Sequence, residues 1–239
     1  MSFVSHVECT VCGHRHDPKR PLTVCETCGQ MLAARYDLER VKASVSKDAL
    51  RQRPPGMYRF RELTPLDAGE VPVTLGEGGT PLLALPRLAA HLGMRRLWAK
   101  DEGQNPTGSF KARGLSMAIT RARTLGARGF VIPSAGNAGG AAAVYGARAG
   151  LPVAVIVPRG TPPAAIAEAQ IAGAHVFTLE GSILTAGGGG GPAARDASPQ
   201  PAARAAITTI SRSLRKQRAT LTAKVTPPPR TVSPATAYV

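Results

Sequence analysis

Apolar segments and helical segments alternate along the chain from Arg95 onward, and this alternation limits the possible folds more than any other feature. The apolar segments RRLWAK, RGFVIP, PVAVIVP and AHVFTLE have the composition of β-strands. Three helices are predicted between them, at residues 109–126, 137–149 and 161–172. Strands that are apolar along their whole length are typical of a parallel sheet covered on both faces, so the sequence predicts an α/β fold.

The chain divides into four regions by composition. Residues 1–30 contain all four cysteines. Residues 31–45, MLAARYDLERVKASV, have apolar side chains at helical spacing and predict an amphipathic helix. Residues 51–80 are rich in proline and glycine and predict an extended connection over a surface. From residue 187 to residue 239 the chain has few large apolar residues and no sustained periodicity, which predicts a disordered tail.

The cysteines form two CxxC pairs, Cys9 with Cys12 and Cys25 with Cys28, and a glycine follows each pair. The thiolates of the two pairs can complete a tetrahedron around one Zn2+ ion, as in a zinc ribbon. Such a site is closed to substrate, so the ion would be structural. Four free thiols or a redox pair are the competing interpretations. Two neighbouring histidines, His14 and His16, could substitute for cysteines as ligands.

Charge is distributed unevenly along the chain. Lys and Arg outnumber Asp and Glu by 30 to 15, and residues 182–239 hold eight basic residues and one acid, Asp196. A zinc ribbon with such a tail allows an alternative function, a non-catalytic protein that binds nucleic acid through the tail. The residues in question are Arg204, Arg212, Arg215, Lys216 and Arg218. Because Tyr238 is the one aromatic residue of the tail, stacking on bases is not supported and no specific nucleic acid is expected.

The sequence contains no signal for a membrane. It has no run of about 18 apolar residues, and its first residues, MSFVSHVEC, lack an apolar signal core. The cysteine spacing suits a metal better than a set of disulfides, which agrees with a reducing compartment. We therefore expect a cytoplasmic protein without membrane association.

Lys111 follows a turn-forming run in NPTGSFKARG and lies at the start of a predicted helix. The N-terminus of a helix carries partial positive charge, which disfavours a cation there and favours the neutral, nucleophilic amine. Such an amine can condense with an aldehyde to give an imine. The competing interpretation is a lysine that points into solvent.

A second element strengthens the catalytic interpretation of Lys111. The loop PSAGNAGG, residues 133–140, follows a predicted strand and precedes a predicted helix. Its backbone amides would converge on a carboxylate or phosphate at the helix N-terminus. Ser134 and Asn137 add a hydroxyl and an amide that can bond an anion or a phenolic oxygen. An ordinary turn from strand to helix is the competing interpretation.

The combination resembles the pyridoxal-phosphate enzymes of the tryptophan synthase β family, and within that family the threonine synthases. The motifs that carry the resemblance are EGGTPLL at 77–83, LWAKDEGQNPTGSFKARG at 97–114, SAGNAG at 134–139, GSILTAG at 181–187 and the cysteine pairs. The resemblance implies the α/β fold of type II, with residues 31–126 in a large domain and residues 127–186 in a small one. The related threonine dehydratases, which typically carry a histidine after the loop asparagine, are the alternative. Here Ala138 and Gly139 follow Asn137, which favours the synthases.

The resemblance also implies roles for individual residues. Lys111 would form an imine with pyridoxal 5'-phosphate and move protons, Asn137 would bond the 3-hydroxyl of the cofactor, and Ser109 would also contact the cofactor. The residues implied to bind or face the substrate are Ser134, Ala135, Gly136, Asn137, Ala138 and Thr80. The implied reaction converts O-phosphohomoserine and water into threonine and phosphate, in an enzyme that can form a homodimer.

The sequence departs from the family after about residue 187. Family members have a second glycine-rich loop that binds the cofactor phosphate and a hydroxyl residue that faces the pyridine nitrogen, and neither has a recognisable counterpart here. We therefore expect a truncated or frameshifted chain that leaves apolar faces of residues 80–126 uncovered and is weakly active or inactive. Weak binding of the cofactor is part of this expectation. A non-catalytic α/β domain with an inherited motif is a further alternative.

Overall fold

The computed structural model describes residues 2–183. The strands of this part are β1 (Val4–Cys9), β2 (Arg15–His16), β3 (Leu32–Tyr36), β4 (Leu82–Ala84), β5 (Trp98–Lys100), β6 (Phe130–Pro133), β7 (Val153–Pro158) and β8 (His175–Leu179). Its α-helices are α1 (Leu38–Ser44), α2 (Lys47–Gln52), α3 (Pro86–His91), α4 (Lys111–Thr124), α5 (Asn137–Ala149) and α6 (Pro163–Ile171). Two 3-10 helices span Met57–Leu63 and Glu102–Gln104. No helix within residues 2–183 is long and apolar enough to cross a bilayer.

The sheet at the centre of the predicted α/β region is parallel. Its strand order is β6-β7-β8, with Phe130 opposite Val153 and Ala154 opposite His175. The five residues from Val153 to Val157 are each at most 5% exposed, so both faces of β7 are covered. The α/β class and the parallel pairing predicted from the apolar strands are confirmed.

Helix α5 consists mainly of small residues because it lies close to its neighbours. It contacts α4 on one side and α6 on another, and it packs against β7. Three consecutive alanines, Ala141 to Ala143, are at most 1% exposed. A β-carbon added at Gly146 would lie 2.1 Å from Val153 Cγ2. The glycine therefore sets how closely the helix approaches the sheet.

The prediction of one amphipathic helix over residues 31–45 is wrong in its first half. Leu32–Tyr36 forms β3, which pairs antiparallel with β1, and β2 pairs with the other edge of β1. Helix α1 begins after Asp37, whose carboxylate accepts a hydrogen bond of 3.1 Å from Arg40 N. Residues 32–36 form backbone hydrogen bonds with the edge of β1, and this pairing overrides the helical spacing of their apolar side chains. Asp37 then caps the shorter helix that follows.

The segment predicted as an extended connection, residues 51–80, begins with helical turns. Helix α2 ends at Gln52, and the first 3-10 helix follows. Arg53 holds this turn in place, because it forms an ion pair of 2.7 Å with Glu62 and donates a hydrogen bond to the Arg59 carbonyl. From Thr64 to Pro81 the chain has neither helix nor strand, as its composition predicts.

Strands β4 and β5 form a separate antiparallel ribbon, with Leu83 opposite Ala99. Large apolar side chains on and near the ribbon are exposed, among them Leu82 at 59%, Trp98 at 54% and Phe110 at 57%. The exposure that the sequence predicts between residues 80 and 126 is therefore observed. The predicted disordered tail, residues 187–239, lies outside the described residues.

Candidate active site

Lys111 is the first residue of α4, as the sequence predicts for the lysine near a helix start. Its side chain is half-buried, and Nζ lies 4.5 Å from the centroid of the Phe110 ring. Within residues 2–183, Nζ makes no hydrogen bond and no ion pair. Ser109 is buried beside it, and its hydroxyl accepts a hydrogen bond of 3.4 Å from the Lys111 amide. The backbone of Lys111 is thus fixed by Ser109, while Nζ stays available to a ligand.

The turn before α4 is built around Asn105. Gly108 donates to the Asn105 carbonyl at 2.8 Å, and Gly108 has a φ of +64°, which suits glycine. The Asn105 side chain accepts a hydrogen bond of 3.0 Å from Gly78 N, so the lysine motif and the EGGT turn are joined directly. In the turn before α4, Thr107 Oγ1 is buried and has no hydrogen-bond partner within the described residues. A ligand group is one way to satisfy this hydroxyl.

Thr80 lies in a charged cluster that includes a residue of the first turn of α4. Its hydroxyl donates to Glu102 at 2.7 Å, and Glu102 forms an ion pair of 2.6 Å with Arg113, two residues after Lys111. The Arg113 guanidinium, followed by the Thr80 hydroxyl, lowers the pKa of Glu102 to about 2. The first turn of α4 is therefore fastened to the EGGT turn by a carboxylate that is charged at neutral pH.

Gly78 makes this close approach possible. Its φ is +91°, and an added β-carbon would lie 2.5 Å from Met57 N and 2.9 Å from the Arg113 guanidinium. No side chain fits there without displacing backbone. The EGGT motif therefore needs its first glycine for a steric reason that the structure shows directly.

The Ser134–Ala138 loop links β6 to α5. Ser134 is buried, and its hydroxyl accepts hydrogen bonds from Gly139 N at 2.8 Å and from Gly136 N at 3.4 Å. Within residues 2–183, the backbone amides of Asn137 and Ala138 donate to no protein group, and the Asn137 side chain is exposed. Ala135 and Gly136 are half-buried. The loop thus offers free amides at the positive end of a 13-residue helix, which is the arrangement that binds anions.

A buried carboxylate connects α4 with α5. Glu77 is 1% exposed, and Tyr145 of α5 donates to it at 2.7 Å while Ser116 of α4 donates to its other oxygen. Its remaining donors are Thr74 Oγ1 and Leu75 N. Burial, together with the bond to Glu77, raises the pKa of Tyr145 above its ordinary value, so the phenol stays a donor. The two helices that begin with Lys111 and Asn137 are thereby held at one relative position.

The sequence analysis missed Glu77, Glu102 and Arg113 as members of this region. Their partners in α4, α5 and the EGGT turn are 11 to 68 residues away along the chain, and no spacing rule links them. The EGGT and KARG motifs contain two of them, which is the signal that the sequence offers. Their contacts define the support of the lysine.

The structure does not join every predicted site residue. Within residues 2–183, no hydrogen bond or ion pair connects Lys111 to Ser134, Gly136 or Asn137. Two cavities, of about 280 Å³ and about 580 Å³, are lined by other residues. Lys111 begins α4 and the loop precedes α5, and these two helices pack against each other. The assignment of Lys111 and the loop to one site stays a prediction.

The four cysteines come together as predicted. Their sulfur atoms all lie within 4.8 Å of one another, with Sγ–Sγ distances of 3.4 Å for Cys9 with Cys28 and 3.7 Å for Cys12 with Cys25. The backbone amide of Cys12 donates to Cys9 Sγ, and Gly13 has a φ of +69°, which allows the tight turn. These distances are close to the spacing of about 3.8 Å between sulfurs that a tetrahedral zinc site requires at a Zn–S length of about 2.3 Å.

The neighbouring histidines are not part of the cysteine cluster among the described residues. The His14 and His16 rings contact each other edge to face, with centroids 4.7 Å apart. The His16 side chain is buried, and its Nδ1 lies 3.6 Å from Glu26. These contacts support the interpretation of His14 as a bystander. His16 is in hydrogen-bond contact with the Cys25 thiol, so it lies directly beside the cluster.

Comparison with known proteins gives a family match and a set of relatives. Residues 73–215 match the family described as pyridoxal-phosphate dependent enzymes. Threonine synthase of Methanosarcina acetivorans is 37% identical over 179 residues, which cover 74% of this chain and 43% of that enzyme. Threonine synthase of Mycobacterium leprae is 44% identical over 131 residues, which cover 54% of this chain and 36% of that enzyme. The chain thus spans less than half the length of these relatives.

A crystal structure of a pyridoxal 5'-phosphate-dependent aspartate racemase is also similar, at 35% identity and a TM-score of 0.41. The similarity covers 42% of this chain and 33% of that protein. The family match itself covers more than half of the present chain and includes α4, the Ser134–Ala138 loop and the parallel sheet. It agrees with the fold that the sequence motifs predict. The chain belongs to the family of pyridoxal-phosphate dependent enzymes.

Proposed function

We propose that this chain carries the lysine and the anion-binding loop of a lyase of the threonine synthase type, which converts O-phosphohomoserine and water into threonine and phosphate. The identity to threonine synthases supports this choice within the family. One observation carries the proposal. Lys111 Nζ has no partner among the described residues, and α4 is packed against a helix whose first amides are also free.

The residues present fit the cofactor. The free amine of Lys111 is the group that binds an aldehyde, and the buried, unpartnered hydroxyl of Thr107 offers a polar contact close to it along the chain. The free amides of Asn137 and Ala138 offer a second place for negative charge. When bound, pyridoxal phosphate supplies an electron sink that stabilises negative charge on substrate carbons.

Each residue has a defined task in this proposal. Lys111 Nζ holds the cofactor and moves protons at the substrate carbons. The exposed side-chain amide of Asn137 bonds the ring hydroxyl of the cofactor, and the free backbone amides of the Ser134–Ala138 loop bind the substrate carboxylate. The Ser134 amide is not among them, because it donates to the Ile156 carbonyl at 3.0 Å. Ser109 orients the first turn of α4 through its bond to the Lys111 amide. Thr80 stays a predicted neighbour of the substrate, although its hydroxyl is occupied by Glu102.

The role of Lys111 is tested by adding pyridoxal phosphate to the full chain and recording the visible spectrum. We expect an imine absorption that borohydride reduction fixes on the peptide containing Lys111. Lys111→Ala should lose both signals, whereas Lys42→Ala, which removes an exposed lysine of α1, should keep them. A modified peptide elsewhere, with an unchanged spectrum in Lys111→Ala, would overturn the assignment.

Two further measurements separate the remaining questions. Saturation at micromolar cofactor would contradict the expectation of weak binding and leave the role of Lys111 intact. Threonine formation from O-phosphohomoserine, assayed beside dehydration of threonine, distinguishes the synthase from the dehydratase. Dehydration as the faster reaction would contradict the proposed substrate. The domain boundaries, the homodimer and the cytoplasmic location stay predictions.

The cysteine cluster supports a second, structural proposal. Four sulfurs at these distances fit Zn2+, which prefers a tetrahedron of thiolates. The cluster contains no fifth ligand group among the described residues, so the ion would stabilise the fold and take no part in the reaction.

A further inference from the structure

A cavity of about 580 Å³ lies between the 3-10 helix Met57–Leu63 and the beginning of α4. Three cations, Arg59, Lys100 and Arg113, belong to its wall, and the wall contains no Asp or Glu. The volume is in the range of small-molecule sites, roughly 300–1,000 Å³. Lys111 and the Ser134–Ala138 loop do not line it, so the cavity is distinct from the proposed lysine and loop, although its wall residue Lys100 donates to the carbonyl of Thr80.

Two of the three charges are uncompensated. Arg113 is paired with Glu102 at 2.6 Å and contributes little net charge. Lys100 Nζ donates to the Thr80 carbonyl, and Arg59 Nη2 donates to the carbonyl of Leu50. These carbonyls are neutral, and neither Arg59 nor Lys100 forms an ion pair within residues 2–183. The wall therefore carries about two positive charges that attract an anion.

Arg59 also has an unsatisfied donor. Its Nε is buried and has no hydrogen-bond partner within the described residues. A buried N–H normally has an acceptor, and a guanidinium binds phosphate or carboxylate through two parallel bonds. Because Nη2 is already engaged with the Leu50 carbonyl, an oxyanion near Nε would supply the acceptor that the protein does not.

The rest of the wall is apolar. Met57, Phe60, Leu63 and Met117 belong to it, and Phe60 and Leu63 are 44% and 50% exposed. We infer that the cavity binds an organic oxyanion, with its phosphate or carboxylate group held by Arg59 and Lys100 and its apolar part against these side chains. The site is a binding site of this chain in addition to the proposed lysine site, and it does not depend on the proposed reaction.

The test is a calorimetric titration of the full chain with phenyl phosphate, and benzyl alcohol serves as the uncharged probe. We expect binding of phenyl phosphate in the cavity and no binding of benzyl alcohol there. The double variant Arg59→Gln/Lys100→Gln should weaken the binding at least tenfold. Arg128→Gln removes an exposed arginine outside the cavity, and it should change the affinity less than twofold.

Two additional variants keep the test decisive. Leu63→Asp places a carboxylate at an exposed position of the wall and removes no hydrogen bond of the protein. If this variant no longer binds phenyl phosphate, the result supports the site. Lys111→Ala should bind phenyl phosphate as the wild type does. Unchanged binding in the double variant would assign the anion to basic residues elsewhere, and lost binding in Lys111→Ala would assign it to the lysine site. Either result overturns the inference.

Discussion

At the scale of single residues, two carboxylates organise the surroundings of Lys111. Glu77 is buried among four donors from α4, α5 and the segment before the EGGT turn. Glu102 is partly exposed and binds Arg113, Thr80 and Asn105. Both residues act through other groups, so they are positioning residues. Their hydrogen bonds fix α4, which begins with Lys111, relative to α5 and to the EGGT turn.

Glu102 gives a pH dependence with a defined sign. Its pKa is lowered from 4.5 to about 2 by Arg113, so its stabilisation is complete above pH 4.5 and is lost as the pH falls towards 2. Glu102→Gln should cost roughly 1–3 kcal/mol at pH 7, because hydrogen bonds to a charged group are lost. Urea denaturation at several pH values measures both effects.

The pH test for Glu102 needs a control of equal charge. Glu39→Gln removes an acid that lies in the first turn of α1 and forms no ion pair with described residues. The wild type should lose stability as the pH falls from 4.5 to 2. We expect Glu39→Gln to show the same loss, whereas Glu102→Gln should show a smaller one. Equal curves for wild type and Glu102→Gln over this range would contradict the role of the Arg113 pair.

At the scale of elements, the contact of α5 with the parallel sheet depends on small residues. Gly146 faces Val153, and the three buried alanines bring the helix close to α4 and β7. The N-terminus of α5 carries the loop that is proposed to bind an anion. The position of that loop therefore follows from how closely the helix approaches the sheet.

Two glycine substitutions test this packing. Gly146→Ala should destabilise the fold by about 1–3 kcal/mol, since its β-carbon would meet Val153 Cγ2 at 2.1 Å and the Leu151 carbonyl at 3.2 Å. Gly114→Ala, in α4, meets nothing within 4 Å and should stabilise it by roughly 0.5–1 kcal/mol, because alanine favours a helix. Thermal denaturation followed by circular dichroism compares the two. The same sign for both would contradict the steric explanation.

At the scale of the whole described unit, the cysteine segment is attached to the lysine helix. Arg121 of α4 donates to the Pro18 carbonyl at 2.6 Å, and Pro18 lies between the two cysteine pairs. Arg121 also donates to the Pro65 carbonyl. Arg121 thus links the cysteine segment to α4, at a position ten residues after Lys111.

Metal removal tests this connection. We expect one equivalent of zinc per chain, and chelation should expose four thiols to a disulfide reagent and lower the melting temperature of the whole unit. Cys25→Ser should lose the metal, whereas His14→Ala should retain it because His14 is a bystander. A protein purified without metal, with an unchanged melting temperature after chelation, would contradict the zinc proposal.

The sequence predicted the elements that depend on local pattern. The strands β6, β7 and β8, the helices α4 and α5 and the clustering of four cysteines all follow from apolar periodicity, glycine stops and CxxC spacing. Helix α5 was predicted at its observed bounds, Asn137–Ala149. The prediction for residues 31–45 was wrong at β3, because pairing with a distant strand replaced the helix that the spacing favours.

By itself, the sequence determined the α/β class and the family motifs and pointed to Lys111 as the lysine proposed to bind the cofactor, because each depends on residues that are neighbours along the chain. Only the tertiary structure decided which groups surround that lysine. The link from Asn105 to Gly78, the bonds of Glu77 to Ser116 and Tyr145 and the uncompensated cations of the cavity join residues that are far apart in sequence. Such contacts arise from the packing of whole elements, and no local pattern encodes the distance between two side chains.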